Sequence, residues 1–366
     1  MSKKLNVGIL CGGKSAEHEV SLQSAKNIYE AIDREKFNPI LIGIDKSGRW
    51  IYGAHTQASG VISHADDPAK ICLNTGKTGE AVLPAESSGR LSVSGNAAVQ
   101  LDVIFPILHG PFGEDGTVQG LLKLADIPFV GPSVLGSAVG MDKDVMKRLL
   151  RDGGIPIGKF LVLRDWEAVP SFMDLTQKLG NPIFVKPVNM GSSVGVSKVR
   201  SEDEYHAALN EAFTYDTKVI LEENIPGREI ECAVLGNEEV RASLPGEVKA
   251  ARDFYSYEAK YLDADGATLE IPAKLPEAKV KEIQNLAVRT FQVLECQGLS
   301  RVDFFLKEDG AVLVNEINTM PGFTKISMYP KLWEATGIRY TELITNLIEL
   351  AIRRFEKEKK LKTSYS

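Results

Sequence analysis

A short acidic segment near the C-terminus combines residue types that could bind a divalent metal ion. The segment is predicted to form a β-hairpin with its tip at Asp309-Gly310, because that dipeptide is typical of two-residue turns. With those two residues as the loop, Asp303 lies opposite Glu316, and Asn318 shares their face because side chains alternate along a strand. Two carboxylates and an amide oxygen suit a Mg²⁺ ion that keeps waters and contacts substrate phosphates. The alternative is an ordinary solvated face of an antiparallel hairpin.

A second candidate site lies in the middle of the chain, where Lys186 ends a predicted strand and the loop MGSSVG follows. Glycines let backbone N–H groups approach an anion, Ser192 and Ser193 add hydroxyl donors, and the lysine adds a positive charge. Lys143 lies near a predicted helix start, where the helix dipole also favours phosphate. No Gly-Lys-Ser/Thr sequence opens a helix here, so this is not a Walker loop. A plain Gly-Ser turn and a surface lysine are the alternatives.

The elements that position these residues begin with an N-terminal unit of alternating strands and helices. Strands are predicted at 5–11, 39–44, 101–108 and 127–130, and helices after Ser15 as a cap and at 117–125. Residues 53–100 show weak periodicity and are predicted to form loops and small irregular strands. The alternation is typical of an open α/β unit with a parallel sheet.

Two further α+β units are predicted after it. The first has strands at 183–186, 194–199 and 218–222 and helices at 142–152 and 201–213. The second has a strand at 229–235, an amphipathic helix at 277–296, the metal hairpin and a helix from Tyr340. With a boundary at Pro226-Gly227, we predict domains at 1–138, 139–226 and 227–366.

Composition and charge exclude several classes of function. The 366 residues suffice for two or three domains, and 43% hydrophobic with 25% charged residues is typical of a soluble globular protein. A net charge of −6 gives no reason to expect nucleic acid as a partner. The four cysteines are scattered without metal-type spacing, which favours a cytoplasmic location. No stretch reaches the ~18 apolar residues of a membrane span, so we expect neither export nor a membrane partner.

Six motifs occur in order along nearly the whole chain: GGKSAEHEVSL at 12–22, LHGPFGEDGTVQG at 108–120, MDKDVMK at 141–147, FVKPVNMGSSVGVSKV at 184–199, FYSYEAKYL at 254–262, and RVDFF with NEINTMPGFT within 301–324. In these motifs the chain resembles the D-alanine–D-alanine ligase family of the ATP-grasp superfamily. The resemblance implies an N-terminal open parallel-sheet domain and two α+β lobes gripping ATP. It also implies a homodimer that ligates two D-alanine molecules through a D-alanyl phosphate, releasing ADP and phosphate, for peptidoglycan synthesis.

The resemblance assigns a nucleotide and metal site. Asp303, Glu316 and Asn318 are implied to hold two Mg²⁺ ions on the ATP phosphates, with Mn²⁺ as an alternative ion. The residues implied to contact ATP are Lys143, Lys186, Ser192, Ser193, Glu222 and Glu229. Some relatives have a lysine after the first of these glutamates, whereas this chain has Glu223, so the purine contact departs from the family pattern there.

The resemblance also assigns a substrate site. Glu17 is implied to bind the ammonium group of the first D-alanine and to join a hydrogen-bond network with Ser192 and Tyr261. Arg301 and the Gly322 N–H match the donors that stabilise a tetrahedral oxyanion. The remaining residues implied to bind substrate are His109, Lys260 and Ser327. From residue type alone, Glu17 would be a helix-start acid, Arg301 an ion-pair partner and His109 a structural histidine.

Three other functions are open at this point. The first is a D-alanine–D-lactate ligase or another ATP-grasp carboxylate–amine ligase, although Tyr261 within EAKY favours a dipeptide product. The second is a nicotinamide dehydrogenase, suggested by Gly12-Gly13 between a strand and a helix, but the spaced third glycine is missing. The third is a non-catalytic nucleotide-binding scaffold, which would not need Arg301 beside the metal residues.

Overall fold

The computed structural model describes residues 3–53, 78–83, 88–93, 98–250, 267–324, 326–362 and 364–365. Within these ranges the strands form three sheets that follow one another along the chain. None of the helices in the described ranges is both long enough and apolar enough to cross a membrane. Within the described ranges, these sheets, their helices and the adjoining loops line the candidate site.

The first sheet contains the N-terminal strands. Its unit consists of β1 (Leu5–Gly12), α1 (His18–Ala31), β2 (Phe37–Ile44), β3 (Trp50–Gly53), β4 (Thr78–Val82), β5 (Arg90–Val93), β6 (Val99–Gln100), β7 (Val103–Pro106) and α2 (Thr117–Leu124). The strand order is β6-β5-β4-β3-β2-β1-β7, and β1 pairs in parallel with β2 and β7. The predicted parallel α/β unit is confirmed for these three strands, whose buried apolar runs are typical of parallel sheets.

Three details of this unit refine the prediction. Strand β3 ends where the weakly periodic stretch 53–100 begins, β4 to β6 lie within that stretch, and each of these strands pairs antiparallel with its neighbours. Residues 127–130 form only a parallel bridge between Phe129 and Ile104, so the predicted strand there is wrong. Helix α1 begins at His18, and the hydroxyl of Ser15 accepts a hydrogen bond from the Glu17 N–H at 3.0 Å. The predicted capping role of Ser15 is therefore wrong, because this residue orders the turn before the helix.

The second sheet is antiparallel throughout. Its unit consists of α3 (Val134–Met141), α4 (Lys143–Asp152), β8 (Phe160–Arg164), α5 (Phe172–Leu179), β9 (Ile183–Pro187), β10 (Ser197–Val199), α6 (Glu202–Ala212) and β11 (Lys218–Glu223). The strand order is β10-β9-β11-β8. Helix α4 begins after Asp142, because this side chain accepts a hydrogen bond from the Val145 N–H at 2.9 Å and acts as the N-cap.

The third sheet carries the metal hairpin. Its unit consists of β12 (Arg228–Gly236), β13 (Arg241–Ala242), β14 (Gly246–Ala250), β15 (Ala267–Glu270), α7 (Glu277–Val293), β16 (Gly298–Leu306), β17 (Val312–Asn318), α8 (Met328–Ala335) and α9 (Tyr340–Glu358). The order is β15-β14-β12-β16-β17, with β13 paired to β12. One buried cluster runs from Val7 and Phe105 of the first sheet through Phe323 to Trp333 and Ile344. This shared core fixes the first and third sheets against each other.

The tip of the β16–β17 hairpin differs from the predicted two-residue turn. The Lys307 N–H donates to the Ala311 carbonyl at 2.9 Å, and the Gly310 N–H donates to the Lys307 carbonyl at 3.0 Å. The loop is therefore centred on Asp309, and Gly310 takes a left-handed conformation with φ 85°. This is the geometry of a three-residue hairpin loop that ends in glycine. The predicted turn is wrong, and the strand ends next to it pair one residue out of the predicted register.

A β-bulge at Asn315 restores the predicted register further along the hairpin. On the tip side of Asn315 the facing pairs are offset by one residue, whereas Asp303 faces Glu316 and Arg301 faces Asn318. An extra residue in one strand is what defines a bulge, and bulges occur often beside active sites. The predicted pairing of the two acidic residues is therefore confirmed, although the turn from which it was derived is not.

The glycines of the helices offer a test of the packing around α3. A Cβ atom added at Gly136 would lie 2.7 Å from the Glu295 carbonyl oxygen and 3.2 Å from the Cα of Cys296. Because these are backbone atoms, we expect Gly136→Ala to lower the free energy of unfolding by about 1–3 kcal/mol. Gly120→Ala in α2 is the matched control, since a Cβ atom added there would meet nothing within 4 Å. It should raise the free energy of unfolding by up to about 1 kcal/mol. Urea unfolding measures both, and equal effects would contradict the packing.

Candidate active site

A cavity between the second and third sheets collects charged side chains of both signs. It is bounded by the loop after β9, the end of β11, helix α4 and the β16–β17 hairpin. Its charged lining includes Lys143, Lys147, Lys159, Lys186, Lys198, Glu222, Glu223, Glu229 and Glu316. Several ammonium groups converge on this cavity, which suits a polyanionic ligand such as a nucleoside triphosphate.

The loop between β9 and β10 has an unusual backbone. Ser192 and Ser193 both have positive φ values, 51° and 60°, and Gly195 follows with φ 68°. Left-handed conformations are uncommon for residues other than glycine and often occur at ligand-binding loops. The Lys143 ammonium donates to the Met190 carbonyl of this loop at 2.7 Å. The structure thus brings the two predicted phosphate-binding features, the lysine of α4 and the Gly-Ser loop, into direct contact.

Glu222 lies buried between two lysines at the end of β11. Its Oε1 is 2.7 Å from the Lys147 ammonium, and its Oε2 is 2.5 Å from the Lys186 ammonium. Burial acts to raise the pKa of Glu222, but the charges and hydrogen bonds of both lysines outweigh it and hold the pKa well below its usual range. Burial acts to lower the pKa of Lys186, but Glu222 outweighs that effect and raises it. The surroundings therefore favour the ionised forms of Glu222 and Lys186.

The acidic face of the hairpin is held by an arginine. Arg301 donates to both oxygens of Asp303, at 2.7 and 2.8 Å, and lies 2.8 Å from Glu231. The Asn318 amide also donates to Asp303, at 2.9 Å. Burial acts to lower the pKa of Arg301, but the charges of Asp303 and Glu231 raise it well above its ordinary value. In this arrangement Arg301 is an ion-pair partner, as its residue type alone suggested.

The oxygen donors on this face fit a hard divalent ion. Asp303 and Glu316 face each other across the two strands, and Asn318 lies on the same face. No cluster of three or more His, Cys, Asp or Glu side chains with metal-site geometry occurs in the described part of the chain. Two carboxylates and an amide leave coordination positions for water and phosphate oxygens, as Mg²⁺ sites in nucleotide enzymes require. The Asn318 amide would present its oxygen after a flip, since the N and O positions follow from hydrogen bonding.

Glu17 contacts the Gly-Ser loop from beside the cavity, since Ser192 lines the cavity and Glu17 does not. The Ser192 hydroxyl donates to the Glu17 carboxylate, as the resemblance implied. Cβ atoms added at Gly110 and Gly191 would lie 3.1 and 3.2 Å from the second Glu17 oxygen. Glycine at both positions lets two loops approach one carboxylate closely. The other implied members of this network, Tyr261 and Lys260, lie outside the described residues.

His109 belongs to a buried hydrogen-bond chain that includes a residue the sequence reasoning missed. Its Nδ1 lies 3.1 Å from the Met320 carbonyl, whereas its buried Nε2 has no hydrogen-bond partner among the residues described.

Glu114 accepts hydrogen bonds from the N–H groups of Gly110 at 2.7 Å and Met320 at 3.2 Å. Burial, reinforced by the charge of Glu17, raises the pKa of Glu114 to about 8. The sequence feature that could have indicated Glu114 as a site residue is its position within the motif LHGPFGEDG.

The segment that carries Gly322 is fixed by contacts from helix α1. Phe323 receives a hydrogen bond from Asn27 of α1 at 3.3 Å and donates one to Ser24 at 3.2 Å. A Cβ atom at Gly322 would lie 2.9 Å from the Ser327 hydroxyl, so these two predicted site residues are neighbours. The Ser327 hydroxyl itself accepts a hydrogen bond from the Thr324 N–H at 3.0 Å. The structure therefore joins the Gly322 loop to the same helix that begins beside Glu17.

The chain is similar to D-alanine–D-alanine ligases over almost its full length. Residues 6–132 match the family model described as the D-ala D-ala ligase N-terminus, and residues 149–349 match the D-ala D-ala ligase C-terminus. The D-alanine–D-alanine ligase of Oceanobacillus iheyensis is 54% identical over 367 residues, which is 99% of each chain.

Two solved structures extend this similarity to the fold. The D-alanine–D-alanine ligase of Coxiella burnetii aligns with a TM-score of 0.86 at 40% identity, covering 98% of this chain and 97% of that chain. The VanG D-Ala:D-Ser ligase of Enterococcus faecalis aligns with a TM-score of 0.84 at 34% identity, covering 95% and 100%. Both alignments therefore extend over almost the whole chain.

The buried imidazole of His109 predicts a pH dependence of stability. Burial lowers its pKa, although Glu17 and the Met320 carbonyl act in the opposite direction. Because the folded state favours the neutral ring, its stabilising contribution is complete above the unfolded pKa of about 6.5 and is lost as the pH falls below that value. Between about pH 7 and about pH 5.5, wild-type stability should fall more steeply than that of His109→Gln, by up to about 1.4 kcal/mol per pH unit. Urea unfolding at several pH values measures this, and parallel profiles would reject it.

Proposed function

This chain belongs to the D-alanine–D-alanine ligase family, and on that premise we propose that it joins two D-alanine molecules into D-alanyl-D-alanine for peptidoglycan synthesis. It is an ATP-dependent ligase with the ATP-grasp fold. The observation that carries the proposal is the hydrogen bond between Ser192 and Glu17. This bond sets an acidic amino-acid site directly beside the loop that would hold the ATP phosphates.

The reaction needs the two sites side by side because a carboxylate is a poor electrophile. Its negative charge repels nucleophiles, and its oxygen would have to leave as an oxide ion, which is a poor leaving group. Transfer of the γ-phosphoryl group of ATP to the first D-alanine gives a D-alanyl phosphate and ADP. The amino group of the second D-alanine then attacks the acyl carbon and phosphate leaves. The first step needs positioning and charge neutralisation more than covalent participation of the protein.

The nucleotide lies in the cavity between the second and third sheets. Lys143 and Lys186 contact its phosphates, and Ser192 and Ser193 contribute hydroxyl groups from the strained loop. Glu222 and Glu229 contact the adenine and the ribose. The lysine-rich lining and the contact between Lys143 and the loop support this arrangement. Glu223 stands where some relatives have a lysine, so it contributes no cation beside the purine.

Asp303, Glu316 and Asn318 hold two Mg²⁺ ions, for which Mn²⁺ can substitute. When bound, such ions neutralise phosphate charge during transfer. The oxygen donors that face one another on β16 and β17 support this assignment. Arg301, held beside Asp303, donates to the oxyanion formed on attack by the second D-alanine, and the Gly322 N–H is the other donor. The side chain that forms an ion pair with Asp303 thus becomes an oxyanion donor during the reaction.

The amino acids lie beside the cavity, at Glu17. Glu17 accepts hydrogen bonds from the ammonium group of the first D-alanine, and Ser192 and Tyr261 complete its network. His109 contacts the same substrate, which its buried Nε2, unpartnered among the described residues, supports. Ser327 binds the carboxylate of the second D-alanine, with Lys260 nearby. The short distance between Gly322 and Ser327 supports this, because it sets the oxyanion donor next to the second substrate.

Three broader features complete the proposal. The enzyme is a cytoplasmic homodimer, as expected for a ligase that makes a cell-wall precursor. Its domains span residues 1–138, 139–226 and 227–366. The three sheets support these boundaries, because β7 ends at Pro106, β8 to β11 lie within 160–223, and β12 begins at Arg228.

Product analysis tests the function directly. With MgATP and D-alanine alone, the protein should release one phosphate per D-alanyl-D-alanine, detected by a phosphate assay and by mass spectrometry. Glu316→Gln should lower turnover at least about 100-fold while the circular dichroism spectrum is unchanged, because phosphoryl transfer depends on neutralised charge. Adding D-lactate distinguishes the D-alanine–D-lactate alternative, which requires a depsipeptide as the main product. Nucleotide binding without ADP formation for any D-amino acid would refute ligase activity.

Ser192→Ala tests the contact that carries the proposal. Loss of a hydrogen bond to a charged group should cost about 1.5–3 kcal/mol, so kcat/KM for D-alanine should fall about 10- to 100-fold. Ser201→Ala is the matched control, because this serine of the same lobe caps α6 by accepting from the Glu204 N–H and lies away from the cavity. It should lower stability by about 1 kcal/mol and leave kcat/KM unchanged. Equal kinetic effects of both substitutions would contradict the role of Ser192.

A further inference from the structure

Lys147 is a buried cation of the cavity that none of the assigned roles includes. It lies four residues after Lys143 on α4, so both side chains project from one face of the helix. Its residue exposure is only 3%. A buried ammonium group is costly unless it is paired and hydrogen-bonded, so its contacts carry information about its role.

The contacts of Lys147 join two parts of the cavity that come from different sheets. Its ammonium group lies 2.7 Å from Oε1 of Glu222, on β11 of the second sheet. The same group donates to the carbonyl of Asn315 at 3.3 Å, on β17 of the third sheet. Lys147 therefore bridges the proposed adenine-binding carboxylate and the hairpin that carries the proposed metal ligands.

The second of these contacts falls on the bulge. Asn315 is the extra residue of β17, and it has no facing residue on β16. The residue after it is Glu316, whose Oε2 lies 3.8 Å from the Lys143 ammonium. Two lysines one helical turn apart thus hold two consecutive residues of β17. Because the bulge sets the register that aligns Glu316 with Asp303, a donor to its carbonyl also fixes the position of Glu316.

We propose that Lys147 is a positioning residue for the nucleotide, holding Glu222 toward the purine and fixing the bulge that aligns Glu316 with the other proposed metal ligands. Replacing a buried ion pair by an apolar side chain of similar volume is often neutral or stabilising, so folding alone gives little reason for a charge here. The inference rests on the ATP site and on the roles of Glu222 and Glu316 proposed above.

Lys147→Met tests the inference because methionine fills similar space without charge or donors. The KM for ATP should rise about 10- to 100-fold, as is typical when a partner that orients a ligand-binding residue is lost. The KM for D-alanine at saturating ATP should change less than about twofold. The nucleotide preference is the ratio of kcat/KM for ATP to kcat/KM for purine ribonucleoside triphosphate, which lacks the 6-amino group. This ratio should fall about tenfold, because Glu222 is no longer held toward that group.

Lys279→Met is the matched control, because Lys279 of helix α7 contacts the same hairpin. Lys279 also donates to a carbonyl of the hairpin, that of Gly310 at 2.6 Å, and to a carboxylate, that of Glu282 at 2.6 Å. Gly310 lies at the hairpin tip and Glu282 on α7, and neither lines the cavity, so both KM values and the nucleotide preference should equal those of wild type. Lys147→Arg keeps the charge and several donors, and it should recover most of the nucleotide preference.

The possible outcomes separate this inference from the proposed function. Wild-type protein that forms no dipeptide would refute the proposed function itself. An active wild type whose KM for ATP and nucleotide preference are unaffected by Lys147→Met would overturn the inference alone. If Lys147→Met does not fold, Lys147→Gln is used instead, because glutamine removes the charge but keeps an N–H donor on a shorter side chain. In that variant, a fall in kcat with unchanged nucleotide preference would overturn the positioning role.

Discussion

The cavity depends on a balance between ammonium groups and their oxygen partners. Lys143 and Lys147 come from α4, Lys186 comes from β9, and each donates to a carboxylate or a carbonyl. Mutual repulsion and desolvation would make such a cluster unfavourable without these partners. A triphosphate with its metal ions supplies the same kind of partner, so the site can exchange internal contacts for ligand contacts without leaving a charge unpaired. Glu222, bonded through both oxygens, is the centre of this balance.

The proposed amino-acid end of the site depends on a different constraint, which is the shared core of the first and third sheets. Phe323 is fully buried in that core, and helix α1 bonds its backbone through Ser24 and Asn27. The phenolic hydroxyl of Tyr340 donates to the same Phe323 carbonyl at 2.7 Å. The proposed oxyanion donor, Gly322, is the preceding residue. Hydrophobic packing outside the cavity lining therefore fixes the position of the proposed oxyanion donor Gly322 relative to helix α1, which begins beside Glu17.

The hairpin shows how a correct site can follow from a partly wrong local prediction. The dipeptide Asp309-Gly310 correctly indicated a turn, but the loop is three residues long, which shifts the register by one. The bulge at Asn315 shifts it back, so Asp303 and Glu316 face each other as predicted. Local turn preferences could not distinguish the two loops. The bulge carbonyl is satisfied by Lys147, and the neighbouring Val314 N–H donates to Pro156 at 2.8 Å. Both partners are more than 150 residues away in sequence.

The sequence by itself determined the parallel strands β1, β2 and β7, the long helices α7 and α9, and the residue types of the site, because apolar periodicity, turn dipeptides and the six motifs are local signals. It did not give the Lys147–Glu222–Lys186 ion cluster, the role of Glu114 in bonding Gly110 and Met320, or the antiparallel extension of the first sheet. Each of these depends on pairs of residues far apart in the chain. Only the tertiary structure decides which buried charge meets which partner, because the cost of burial is relieved by whatever group the fold brings within hydrogen-bond distance.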